Sequence, residues 1–436
     1  MANPIPNLFK IPELKEKILF TLMVLFIYRI GAHITAPGID VGALAAQFAL
    51  LQDTLFGVYD MFVGGALSRA TVLSLGIMPY ISASIMFQLM AAVVPSIEKM
   101  QKEGEDGRKK LTQWTRYATV VLALMQGYGY GVFIQSVQGA VLNPGFFSFL
   151  LPTALVLTTG AVFVMWLGEQ ITERGIGNGM SLLIFFSIIE TFPTATANIW
   201  TSVTNDVIGW FAVLILIAVM VGVVAGVVAM TMAARKIPVQ IPRKVMGRGR
   251  VREGQKSFIP LRINSSGVMP IIFAQSIIIL PGTFGVFFEP LRGFSNLFQP
   301  GNWPYYLAYS ILILFFTYFY TSIIFNPVDL AENLKKQGAF IPGVKPGAKT
   351  ADYIEYVLDR ITLVGAIYLA AIALLPWLII DATGVTGVQF GGTSLLIVVG
   401  VALDTVQQMQ QHLLLRHYEG FMKKGRVRFR GRQRFL

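Results

Sequence analysis

The chain has 436 residues, of which 54% are hydrophobic and only 13% charged, and its net charge is +12. A soluble protein of this length would carry about a quarter charged residues, so repeated apolar runs near twenty residues make this a polytopic helical membrane protein. The chain contains no cysteine, which excludes disulfides, thiolate catalysis and cysteine-ligated metals.

The N-terminal residues carry Lys10, Lys15 and Lys17, followed by an apolar run over 18–34 that exceeds a typical signal-peptide core. It reads as an uncleaved first span. Nine further spans are expected at roughly 71–94, 117–134, 149–167, 180–192, 210–232, 267–288, 305–325, 361–380 and 393–409, the fifth being short. Before the second span lies a half-segment, about residues 57–68, with a Gly64-Gly65 pair, small neighbours and Arg69. It is too polar and too short to cross. Such a piece is either an ordinary outer loop or a re-entrant element, tolerated at membrane depth only when buried in protein or facing an aqueous cavity.

Of the 35 Lys and Arg residues, 32 fall before the first span, after the tenth, or in the even-numbered connections. The positive-inside rule therefore puts both termini and those connections in the cytoplasm. Arg69 and Arg292 lie in odd-numbered connections and Arg29 inside the first span. Ten spans with both ends inside split into two sets of five that enter from opposite sides, as an inverted repeat requires. The expected organisation is a cytoplasmic N-terminus (1–17), a first half (18–209), a second half (210–409) and a basic cytoplasmic tail (410–436).

The loops 235–266 and 327–360 are longer than a turn needs. Their charge suits either the topogenic signal and attraction to anionic lipid or a docking surface for a protein or ribosomal RNA. The spans are nearly free of ionisable groups. Arg29, Glu190 and Asp404 sit toward helix ends, where charges commonly snorkel to water. His412 and His417 are five apart in the tail, a poor metal-ligand spacing on a helix. No phosphate-binding loop, nucleophile elbow or zinc-binding motif occurs, so no enzyme activity and no cofactor are expected, and any energy source lies in a partner. A ten-span secondary solute transporter would need a charged midplane site, and a purely structural scaffold would leave the half-segment unexplained.

Four stretches carry a more specific signal. GGALSRATVLSLGIMPYISASI (Gly64 to Ile85), WLGEQITERGIGNGMSLLIF (Trp166 to Phe185), NPVDLAENLKKQGAFIPGVKPG (Asn326 to Gly347) and FGGTSLLIVVGVALD (Phe390 to Asp404) resemble, in the right order, the signatures of the SecY family, central subunits of bacterial protein-translocation channels. The resemblance covers essentially the whole chain. It implies an all-α membrane protein of ten transmembrane helices, arranged as a clamshell of two inverted five-helix halves around an hourglass pore with a re-entrant plug. The implied activity is passage of unfolded secretory proteins across the membrane and lateral release of membrane proteins into it.

The resemblance assigns residues as well. Val63, Gly64, Gly65, Ala66, Leu67 and Ser68 fall in the plug, where weak anchoring would suit a removable stopper and Arg69 would face water. The pore ring becomes Ile77, Ile81, Ile184, Ile272, Leu280 and Ile397, an aliphatic constriction that resists wetting. Ile77 and Ile81 are one helical turn apart. Spans two and three should face seven and eight across a lateral gate, where Gln88 and Gln275 either latch the closed seam or satisfy backbone carbonyls in their own halves. Partner docking falls to Arg248, Arg250, Lys335, Lys336 and Lys345, the last replacing the family's arginine in that turn, an exchange that matters where bidentate contacts are made. The implied partners are the SecE and SecG subunits, the SecA ATPase, the rRNA and proteins of the ribosomal exit site, and the signal sequences of substrates. The implied location is the bacterial inner membrane.

Overall fold

A computed structural model describes residues 12–51, 54–206, 209–240, 245–246, 250–251, 256–287, 293, 297–299, 301–383 and 392–424. Helix α1 (Pro12–Gly31) is the first span, followed by two short helices, α2 (Val41–Leu50) and α3 (Leu55–Phe62). Each short helix is started by a side-chain cap: Asp40 accepts from the Gly42 amide at 2.8 Å and Thr54 from the Phe56 amide at 3.3 Å. Helix α4 (Met78–Val93) is the second span, and Pro95 ends it, because the next helix, α5 (Pro95–Lys102), turns away by 107°. Helices α6 (Glu105–Ser136), α7 (Leu151–Arg174) and α8 (Gly179–Thr204) complete the first half.

The second half opens with α9 (Trp210–Met232) and continues into β1 (Ala234–Gln240). Strands β2 (Val245–Met246) and β3 (Arg250–Val251) pair with each other, and β4 (Lys256–Arg262) returns antiparallel to β1, with Ile237 opposite Ile259. Helices α10 (Met269–Phe287), α11 (Trp303–Ile324), the short α12 (Pro327–Lys336), α13 (Ala348–Thr383) and α14 (Gly392–Lys424) follow. Six helices among the described residues are long and apolar enough to cross a membrane, and a bent seventh adds to them if α4 and α5 count as one span. Helices α1, α10 and α14 occupy the positions of the first, seventh and tenth expected spans.

Two expected boundaries change. The second span begins at Met78 rather than 71, because Thr71 to Ile77 form successive turns, with Gly76 at φ +53°. The fifth span is not short: it runs on to Thr204. Its second half is rich in hydroxyls, and those of Thr191, Thr194, Thr196, Thr201, Ser202 and Thr204 donate to carbonyls three or four residues earlier at 2.7–3.0 Å. Hydroxyls satisfied on their own helix let a segment of low hydropathy stay helical.

Within the first half α7 is central, packing on α1, α6 and α8, while α4 packs on α6. In the second, α13 packs on α11, α12 and α14, and α9 on α14. The halves meet along two seams, α10 against α4 and α6, and α8 against α14. Small residues make the closest crossings, as expected where van der Waals packing holds membrane helices together. A side chain on Gly179 would run into the carbonyl of Gly168, so the start of α8 rests directly on the backbone of α7. One continuous apolar core joins both halves, and a second lies beneath the long basic loops.

Candidate pore, plug and gate

Residues 55–77 form a buried unit inside the first half. After α3, Gly64 and Gly65 take φ of +70° and +74° and turn the chain back. Val63, Ala66 and Leu67 are buried, with Gly65, Ser68 and Arg69 only partly so. The unit is tied chiefly to itself: Asp60 accepts from the Ser68 amide at 2.9 Å, the Ser74 hydroxyl donates to the Ala66 carbonyl at 2.9 Å, and the Tyr59 hydroxyl donates to the Leu75 carbonyl at 3.0 Å. Ties to neighbouring helices are fewer. The Tyr130 hydroxyl of α6 donates to the Leu67 carbonyl, and Gly64 lies so close to α8 that a Cβ there would stand 3.3 Å from the Ser187 backbone. Val63 packs on Gly76, where an added Cβ would lie 3.0 Å from its methyl.

Directly after Gly76 come the residues assigned to the ring. Ile77 caps α4, and the Ile81 amide donates to its carbonyl at 3.1 Å, so both share the first turn. Ile77, Ile81, Ile184, Ile272 and Ile397 are all buried and belong to one apolar cluster with Val63, Ala66 and Leu67. Ile81, Ile184 and Ile272, from α4, α8 and α10, line one cavity of about 240 Å³ together with Gln88, Asn178 and Tyr320. Ile77 and Ile397 do not line it. The Leu280 side chain lies outside the described residues.

The α4–α10 seam carries its own polar contacts. The Ser276 hydroxyl of α10 approaches the Met78 sulfur of α4 at 3.8 Å. Gln88 and Gln275 do not bond to each other, which corrects the expected mutual latch. Gln88 bridges to the second half through a different residue: the Tyr320 hydroxyl of α11 donates to its Oε1 at 2.6 Å, while its Nε2 donates to Ser84 at 2.9 Å. Gln275 is fully buried, its amide atoms outside good hydrogen-bond geometry with the neighbouring Tyr305 hydroxyl. Tyrosine 320 was missed in the sequence, where it is one of several aromatics in a greasy span.

The end-of-helix charges do not all snorkel. Arg29 of α1 and Glu190 of α8 form an ion pair instead, since the Glu190 side chain is largely withdrawn from water beside segment 55–77 and needs a counter-charge. Arg69 does not simply face water either: its guanidinium donates to His33 Nε2 at 3.1 Å and lies 3.9 Å from Glu190.

On the basic face the two long loops form one platform. The Gln240 amide at the end of β1 donates to the Phe340 carbonyl at 2.9 Å and the Phe340 amide donates back at 3.0 Å. Ile237, Val239 and Leu261 of the hairpin share an apolar core with Leu334, Ala339, Ile341 and Ile354. Lys335, Lys336 and Lys345 stand exposed on this platform, and the Thr350 hydroxyl closes the Lys345 turn on its carbonyl at 2.9 Å. Arg248 and the Arg250 side chain lie outside the described residues.

Comparison with known proteins fits this arrangement. The sequence profile of the SecY family matches residues 71–406. A curated relative, the protein translocase subunit SecY of Aquifex aeolicus, is 43% identical over 432 residues, covering 97% of this chain and all of that protein. The SecY of Escherichia coli K12 is 45% identical over 429 residues, 96% of each chain. Among solved structures, a protein-conducting channel superposes with a TM-score of 0.68 at 18% identity, covering 98% of this chain and all of the other. Sec61 from a canine ribosome–channel complex of the endoplasmic reticulum superposes at 0.62 with 17% identity, again covering 98% and 100%. The structures support the fold; the profile and the near full-length identities establish that the chain belongs to the SecY family.

Proposed function

We propose that this chain is the pore-forming subunit of a bacterial protein-translocation channel, passing unfolded secretory chains across the inner membrane and releasing membrane segments sideways into lipid. The observation that carries the reading is the placement of Ile81, Ile184 and Ile272 around one cavity, with the self-contained segment 55–77 joined to the same apolar cluster through Val63, Ala66 and Leu67. Aliphatic side chains converging from both halves can grip an extended chain without binding it, and they resist wetting when empty. Segment 55–77 is the plug, and the seam of α4 and α6 against α10 is the lateral gate. Membership of the SecY family leaves the ten-span solute transporter without support.

Both termini and the joined basic loops lie in the cytoplasm on this reading. The platform that carries Lys335, Lys336 and Lys345 then receives SecA or the ribosome, whose rRNA is an anionic partner. SecE and SecG complete the channel, and anionic lipids meet the remaining basic surface. Sec61 was solved in a ribosome–channel complex, which supports the ribosome as a partner here.

The pore is tested by trapping a secretory precursor in mid-passage. With a single cysteine at position 81, in a chain that otherwise has none, a cysteine midway along the precursor should form a disulfide; a cysteine at lipid-facing Phe211 should not. Equal yields at both positions would remove the pore from the centre of the bundle. Docking has its own test. Lys345→Glu should slow SecA- or ribosome-driven translocation by roughly two- to threefold, the size expected from reversing one exposed charge, with insertion and folding unchanged. Wild-type rates would take Lys345 out of the docking surface.

A further inference from the structure

At the mouth opposite the basic face, side chains from three parts of the chain converge on Arg69, the residue that ends the plug motif. Glu190 of α8 approaches its guanidinium at 3.9 Å and is ion-paired with Arg29 of α1. His33, in the turn after α1, receives a hydrogen bond from Arg69 through Nε2 at 3.1 Å, and its Nδ1 lies 3.0 Å from the Arg29 carbonyl. Asp60 of α3 faces the same cavity, about 430 Å³ in volume and lined also by Gly64 and Gly65. A Cβ on Gly64 would stand 3.2 Å from the Glu190 carboxylate, so the plug turn lies against the group that holds Arg69.

The two partners of His33 dictate its proton. A carbonyl oxygen only accepts and a guanidinium only donates. Nδ1 must therefore carry hydrogen and Nε2 must not, which a neutral ring satisfies in one tautomer. An imidazolium would aim an N–H at the Arg69 guanidinium and bring a third cation to a site where Arg29 and Arg69 already share Glu190. His33 is exposed, so a proton reaches it from outer water without any opening of the structure.

We propose that Glu190 and His33 clasp Arg69 from two sides to keep the plug seated, and that protonation of His33 from the outer aqueous phase releases one side of that clasp. This rests on segment 55–77 being the plug. The charged groups that face the clasp are Arg29 from α1, Asp60 and Arg69 from the plug segment, and Glu190 from α8. Glu190 continues to hold Arg69 after His33 is protonated, so acid loosens the plug without expelling it.

The test is ion conductance of the full channel, purified with the subunits it retains, in planar bilayers with the pH changed on one side at a time. Acidifying the plug side from about pH 8 to pH 5 should raise the open fraction about threefold, as expected for loss of one exposed charge-assisted contact. Acid on the other side should do nothing. His33→Gln should abolish the response. Arg69→Gln, which leaves the Arg29–Glu190 pair intact, should leak at every pH and also lose the response; Glu190→Gln should leak similarly if it folds. Deletion of residues 58–66 serves as the reference. If the deletion leaks while wild type shows no acid response, or His33→Gln retains it, the clasp is wrong and the plug stands. If the deletion itself stays silent, the plug reading fails, and the clasp with it.

Discussion

Removing residues 58–66 should leave a channel that inserts and folds but conducts ions between translocation events. The deleted stretch includes Val63 and Ala66, both buried in the cluster that contains Ile77, Ile81, Ile184, Ile272 and Ile397. Full burial of one side chain the size of valine contributes about 1.5–3 kcal/mol, and about 1.4 kcal/mol is a factor of ten in a two-state ratio. The open fraction in a planar bilayer should therefore rise at least tenfold. Folding should survive, because the segment's hydrogen bonds run mainly within itself: Asp60 to Ser68, Ser74 to Ala66, and Tyr59 to Leu75. The Ser187 side of α8 loses its Gly64 neighbour but remains in a packed helix. A deletion channel that is folded and as silent as wild type would show that the isoleucine ring seals alone and that 55–77 is only a buried loop.

That segment also marks where the sequence is readable and where it is not. Hydropathy finds the spans because a helix in lipid must be apolar over its length. It misplaces the start of the second span because Thr71 to Ile77 is apolar for another reason: these turns are buried inside the protein, and the Val72 carbonyl lies so close to α7 that any side chain on Gly160 would strike it. Burial in protein and burial in lipid select similar residues. The fifth span fails in the opposite sense, since its hydroxyls satisfy themselves on their own helix and read as loop. Arg29, Arg69 and Glu190 are each conspicuous as rare charges, yet their meeting is a tertiary fact spread over some 160 positions. The basic platform was half visible: basic loops can be counted, whereas the Gln240–Phe340 bridge that joins them leaves no local mark.

The seam proposed as the gate shows the same limit and yields the second large effect. Gln88 stands out as a polar residue in a spanning helix, but its partner lies 232 residues away in a span full of aromatics. The Tyr320–Gln88 bond links α4 in the first half to α11 in the second, so it must break if the seam parts. A hydrogen bond between membrane helices contributes about 1 kcal/mol, and its loss shifts a closed-to-open ratio roughly fivefold. Tyr320→Phe and Gln88→Leu should each let precursors with weakened signal sequences through about five times more often, with normal export of ordinary precursors. The double variant should match either single one, because each removes the same bond. Cysteines placed at 88 and 320 and joined by a short bifunctional reagent should block export of every precursor. Wild-type selectivity in both single variants, or effects that multiply in the double, would mean that Tyr320 and Gln88 are neighbours in the closed channel without holding it shut.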